Sequence, residues 1–308
     1  MSAKQICLAI AVLFTVATVG ASAATHLAPR AKATAAGLGV NLPVVGRVIG
    51  GGNTLFVSSL DITNASAGAT QVDVYFDGTD SATQQPVLAT GSITSSGIVP
   101  VGGGTMRGSS NVHFDDFIDA LVKANLLSTT TETDGVIGSV LVVFNGLTRS
   151  GQGSAAVRFS NAACGGTVGV AMKGHEMTGN EPQKLIVAVR DTRGNTNGAP
   201  QLYPNLFINN TGIQANGSGP SGAVTVVVSA VSNRTGQAVG VPLTLTVGPG
   251  QTATIGQVPT TLQVPDGTDD TLIVTAQVVS GTASIEGLVS EVDATTKDGS
   301  VIEMNRAD

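Results

Sequence analysis

The chain has no tryptophan, and among 308 residues only two tyrosines and eight phenylalanines. Charge is scarce too, with 15 Lys+Arg against 21 Asp+Glu. Each scarcity closes something off. So few aromatics provide no stacking platform for sugars or bases. A net charge of −6 without any basic block excludes nucleic acid as a partner, because that affinity comes from Lys and Arg neutralising phosphates. No Gly-x-Ser-x-Gly elbow occurs, and the nearest stretch, Gly219-Pro220-Ser221-Gly222-Ala223, lacks the last glycine. The glycine triplets at 50–52 and 102–104 have no phosphate-binding lysine and open no helix after a strand. The sequence calls for no cofactor.

What is present starts at the N-terminus. Lys4 precedes an apolar run over 6–19, and Gly20-Ala21-Ser22-Ala23-Ala24 then has the Ala-x-Ala shape of a cleavage site. Residues 1–24 are expected to be a secretory signal peptide, since the run is shorter than the roughly 20 residues a membrane span needs. Cleavage would remove Cys7 and Lys4, leaving Cys164 as the lone cysteine and a charge of 14 − 21 = −7. It would also leave no membrane span. The protein is expected to be secreted or periplasmic, or held at a surface, with a fold that rests on burial rather than on a disulfide.

Beyond the leader, residues 25–46 are low in complexity and read as a loose arm. Runs rich in Val and Thr then alternate with Gly and Asn turns, which predicts an all-β fold. Strands are expected at 54–63, 71–76, 87–94, 139–144, 155–160, 167–172 and 184–190. A second series is expected at 202–209, 223–230, 242–247, 271–278 and 284–292. Period-two alternation over 71–76 predicts one wet face, and the nearly unbroken valines of 224–228 predict a strand covered on both faces. Phe114, Phe117, Ile118 and Leu121 have helical spacing, so one short helix is expected near 114–124.

The chain also repeats itself. Leu60-Asp61-Ile62-Thr63-Asn64 matches Leu206-Phe207-Ile208-Asn209-Asn210, and a β-run follows each. Pro100-Val101-Gly102-Gly103 and Pro249-Gly250-Gln251 each close a strand, and Ser-Gly-x-x-Ser recurs at 150–154 and 280–284. Two tandem β-sandwich modules are expected, at 47–195 and 196–308, with the helix inserted in the first and the boundary at 195–200. This pattern resembles the tandem immunoglobulin-like or fibronectin-like β-sandwich modules of bacterial secreted and surface proteins. It departs from the antibody type in having neither a core Trp nor a Cys pair. The resemblance implies a spacer, an adhesion surface or an enzyme appendage. The implied partner is a protein or a surface whose identity the sequence does not give, as it does not give the oligomeric state.

Three chemistries are weighed against that bland expectation. Cys164, His175 and Met177, with His113 upstream, are the thiol, imidazole and thioether donors that copper favours. The ten residues between Cys164 and His175 are looser than copper loops require. Asp-Gly-Thr-Asp at 77–80 and 266–269 offers oxygen ligands for calcium, although Asp-Gly is an ordinary turn dipeptide. A hydrolase would need His113 or His175 as its base. The favoured expectation is a non-catalytic protein with a structural, adhesion or interaction role, with a periplasmic copper-type protein or an unrecognised hydrolase as alternatives.

Overall fold

The computed structural model describes residues 37–50, 54–161, 169–178, 182–193, 202–217, 219–267, 271–293 and 299–307. The leader at 1–24, Cys164 and the boundary stretch at 195–200 lie outside them. The fold is all-β. Its first run comprises β1 (Gly37–Gly50), β2 (Thr54–Asn64), β3 (Val72–Asp80), β4 (Pro86–Thr94), β5 (Gly97–Pro100) and β6 (Ser110–Phe114). Helices α1 (Phe117–Lys123) and α2 (Thr129–Asp134) follow, then β7 (Val136–Asn145), β8 (Gly153–Asn161), β9 (Gly169–Lys173) and β10 (His175–Glu176). These strands form one ten-stranded sheet in the order β5-β4-β3-β7-β1-β2-β8-β9, with β10 on β1 and β6 on β2.

The second run comprises β11 (Lys184–Arg190), β12 (Leu202–Gln214), β13 (Val224–Ser232), β14 (Ala238–Val247) and β15 (Thr252–Ile255). After helix α3 (Val258–Thr261) come β16 (Thr271–Ser280), β17 (Ala283–Asp293), β18 (Gly299–Glu303) and β19 (Asn305–Arg306). A five-stranded sheet, β14-β13-β16-β11-β19, faces a four-stranded one, β15-β12-β17-β18. Val187, Val226 and Val274 from the first share one core with Leu206, Ile208, Ile285 and Val289 from the second.

Strand for strand, the two runs have the same order. In the first, β4-β3-β7-β1-β10 corresponds to β14-β13-β16-β11-β19, and β6-β2-β8-β9 corresponds to β15-β12-β17-β18. The turns agree atom by atom. Between β3 and β4, Thr83 N–H donates to the Asp80 carboxylate (2.7 Å) and Gln84 N–H to the Asp80 carbonyl (2.9 Å). Between β13 and β14, Thr235 N–H donates to the Ser232 hydroxyl (3.1 Å) and Gly236 N–H to the Ser232 carbonyl (2.8 Å). Gln84 and Gly236 both take the left-handed backbone, with φ of 58° and 68°.

What fuses the first repeat into a single sheet is β1. Its register slips between Leu42 and Val45, at Pro43, which has no N–H to give. Residues 37–47 stay on β7 while 47–50 pair with β2. The bonding runs β1–β2–β8–β9, and the chain then returns from β9 to β1, where β10 pairs with Val40 and Asn41. Close approach between β3 and β7 requires glycine, since a Cβ at Gly138 would lie 2.0 Å from the Asp77 carbonyl oxygen.

Several expectations need correction. Residues 37–46, read as part of a loose arm, are the first strand, and they bury Leu38, Val40, Leu42, Val44 and Val45. The strand at 184–190 is hydrogen-bonded to β16, so it opens the second repeat instead of ending the first. The helix is no insertion. α3 stands at the same place between β15 and β16, with Val258 and Leu262 buried as Phe117, Ile118 and Leu121 are in α1. Pro100 ends β5 and Pro249 follows β14, strands that do not correspond.

The two faces were also read the wrong way round. β3 is buried on both sides, whereas β13 alternates buried and half-exposed residues. Asp116 caps α1, accepting from Ile118 N–H and Asp119 N–H, and is ion-paired to Arg47 of β1. The acids at this helix start therefore hold it to the sheet.

Candidate functional site

The side chains singled out for chemistry are placed as follows. His113 lies on β6 opposite Asp61 of β2. Its ring nitrogens are 2.9 Å from Asp61 Oδ1 and 3.2 Å from Asp115 Oδ1. Among the described residues no hydroxyl or thiol is hydrogen-bonded to it, so it has carboxylate partners without a nucleophile. His175 is an exposed residue of β10. Met177 packs against Tyr75 of β3 and Leu141 and Val143 of β7. No group of three or more His, Cys, Asp or Glu side chains suited to a metal ion occurs among the described residues. Asp80 uses its carboxylate within its own turn, and Asp266 is 3.2 Å from Arg193.

The hydrogen bond to Asp61 is the largest cause of a raised His113 pKa, and burial opposes it. A raised value in the folded state stabilises the fold below the unfolded pKa of about 6.5 and stops doing so as pH rises through the folded value. Half the side chain is exposed, so the effect on stability is small. The titration itself is readable. By NMR, His113 should titrate above about 6.5, and Asp61→Asn should bring it back toward that value. An unchanged midpoint in Asp61→Asn would show that Asp61 is not the cause.

A buried polar cluster lies elsewhere, between the repeats. The fully buried Asn41 of β1 donates from Nδ2 to Asn209 Oδ1 (2.9 Å, β12) and to Glu286 Oε2 (2.8 Å, β17). Asn209 in turn donates to the carbonyls of Gly250 (3.2 Å) and Gln251 (3.0 Å). Thr252 Oγ1 donates to the Pro43 carbonyl (2.6 Å), and Ser139 Oγ to the Gly250 carbonyl (2.6 Å). Gly250 has φ +73°, and a Cβ there would lie 2.6 Å from the Asp77 side chain. Around this cluster, Leu288, Phe207 and Val301 of the second repeat pack against the core of the first.

Two further asparagines hold each repeat together at one corner. Asn64 and Asn210 occupy the same place and are both fully buried. Asn64 accepts from Ser66 N–H (3.0 Å) and donates to the carbonyls of Gly68 (3.1 Å) and Arg107 (3.0 Å). Asn210 accepts from Gly212 N–H (2.9 Å) and donates to those of Gly222 (3.0 Å) and Val247 (2.9 Å). Reading the sequence alone missed both groups. The usable signal was an Asn set within apolar strand residues, as in Val40-Asn41-Leu42, and one ending the repeated strand at 64 and 210.

No protein-family model matches the chain, and no curated protein is similar to it. The geometry therefore stands alone. A seam of neutral amides and hydroxyls around one carboxylate, closed by apolar side chains, is built to fasten two bodies together.

Proposed function

We propose that the protein is an exported, non-catalytic β-sandwich protein of two repeats, with a structural, adhesion or interaction role outside the cytoplasm. The observation that carries this reading is the seam. Buried polar partners from both repeats meet at Asn41, Asn209 and Glu286, and they fix how the repeats sit on each other. A module that bears load or presents a surface needs such fixed geometry, since linked domains otherwise move freely. The leader-like residues 1–24 and the lone remaining cysteine support export. Among the described residues nothing favours the copper set: Cys164 lies outside them, and His113 is held between two carboxylates.

Cell fractionation with N-terminal sequencing, followed by a screen against esters, glycosides and peptides, tests this reading. The expected result is a mature chain outside the cytoplasm, beginning near residue 24 or 25, with no turnover. Turnover that disappears in His113→Ala would overturn it in favour of a hydrolase.

A further inference from the structure

The two repeats differ at one sheet edge. In the first, β5 pairs with residues 91–94 of β4 and covers that edge. In the second, the chain runs from β14 through a Gly-Pro-Gly turn straight into β15, and no strand corresponds to β5. Among the described residues, β14 pairs with β13 alone. The core is closed there without a sixth strand. Leu245 stands at the register position of Gly91, against which Ile98 of β5 packs, and it is buried.

Natural sheets guard open edges with charges, prolines or kinks. The first half of β14 is guarded. Gly240 has φ +71°, Val241 N–H donates to the Leu262 carbonyl (2.6 Å), and Pro242 has no N–H. The second half, residues 243–247, has no such device, and residues 235–265 contain no charge of either sign. This stretch, Leu243-Thr244-Leu245-Thr246-Val247, is palindromic in pattern. Thr244 and Thr246 are exposed, while Leu245 and Val247 are buried.

We infer that two copies of the chain pair antiparallel along residues 243–247, about a twofold axis through Leu245. That register sets Thr244 opposite residue 246 of the second copy and Leu243 opposite residue 247. Hydroxyl meets hydroxyl on one face and aliphatic meets aliphatic on the other. Both five-stranded sheets become one ten-stranded sheet, and the interface is isologous. The inference does not depend on the role proposed above. It concerns which surface a second copy occupies, whatever else the protein binds.

Sedimentation equilibrium of the mature chain, from micromolar to millimolar concentration, is the test. The expected result is a reversible dimer. The double substitution Thr244→Lys with Thr246→Lys places like charges opposite each other and should weaken association by about tenfold or more. Both threonines face solvent, so far-UV signal and melting temperature should be kept. Thr244→Glu with Thr246→Lys should restore the dimer, because each new carboxylate then faces a new ammonium across the axis. A monomer at every concentration would overturn the inference. So would a dimer indifferent to the double lysine substitution, which would place the contact on another face.

Discussion

Replacing Asn210 with alanine is expected to cost about 2–4 kcal/mol, with Asn64→Ala falling in the same range. The magnitude follows from what is left behind. Asn210→Ala strands the Gly212 N–H and the carbonyls of Gly222 and Val247, all facing a fully buried side chain. The bond to the Val247 carbonyl is buried, so its loss is a desolvation cost as well as a lost bond, whereas the Gly222 carbonyl belongs to an exposed residue. Asn210→Asp should be at least as costly although it conserves shape, because a carboxylate would face two carbonyl oxygens. Urea denaturation of both variants measures the effect. A cost under about 1 kcal/mol for Asn210→Ala would mean that the corner reorganises around the gap.

The second large effect is expected at the seam. Asn41→Asp replaces the donor that serves Asn209 and Glu286 with a carboxylate, directly opposite another carboxylate. Two like charges in a buried site are strongly unfavourable, and breaking the polar pairing alone is expected to cost about 3 kcal/mol or more. Asn41→Asp should therefore be much less stable than Asn41→Ala at neutral pH. The two should approach each other as pH falls from neutral toward the ordinary carboxyl value of about 4, because the crowded pair takes up a proton above that value. Thermal melts of both variants across that range test the sign. A gap between the variants that does not narrow with acid would remove Glu286 from the account.

Twelve strands and the longer helix were legible because they carry local signals. Period-two runs, valine-rich cores and Gly or Asn turns need no tertiary knowledge. What escaped depends on contacts between distant residues. β1 reads as low complexity because Gly37-Leu38-Gly39 and Pro43 resemble a linker, yet the strand is buried by β7 on one side and by β2 and β10 on the other. The exchange of faces between β3 and β13 has the same origin. Asp73 and Asp77 look solvent-facing, but Ser92 and Asn145 enclose the first and the turn at Gly250 covers the second. Val227 looks like core, but it lies on the half-exposed side of β13.

The seam was illegible for a further reason. Asn41, Ser139, Asn209, Thr252 and Glu286 are spread over 245 positions, and each taken singly is an ordinary surface or turn residue. The duplication, by contrast, could be seen from short matches. Its phase differs, because β11 lies before the Gly/Asn/Pro stretch that looks like a boundary, and the match of Pro100 with Pro249 falls on strands that do not correspond.

Two repeats of one fold are fastened into a single cooperative body by the seam around Asn41, Asn209 and Glu286. Hydrogen exchange read by mass spectrometry along a urea series tests it directly, because β7 and β16 report separately on the two repeats. The expected result is that amides of 136–145 and 271–280 lose protection at the same urea concentration in the natural chain, and at different concentrations in Asn41→Asp. Loss of protection in one repeat of the natural chain while the other stays closed would contradict it.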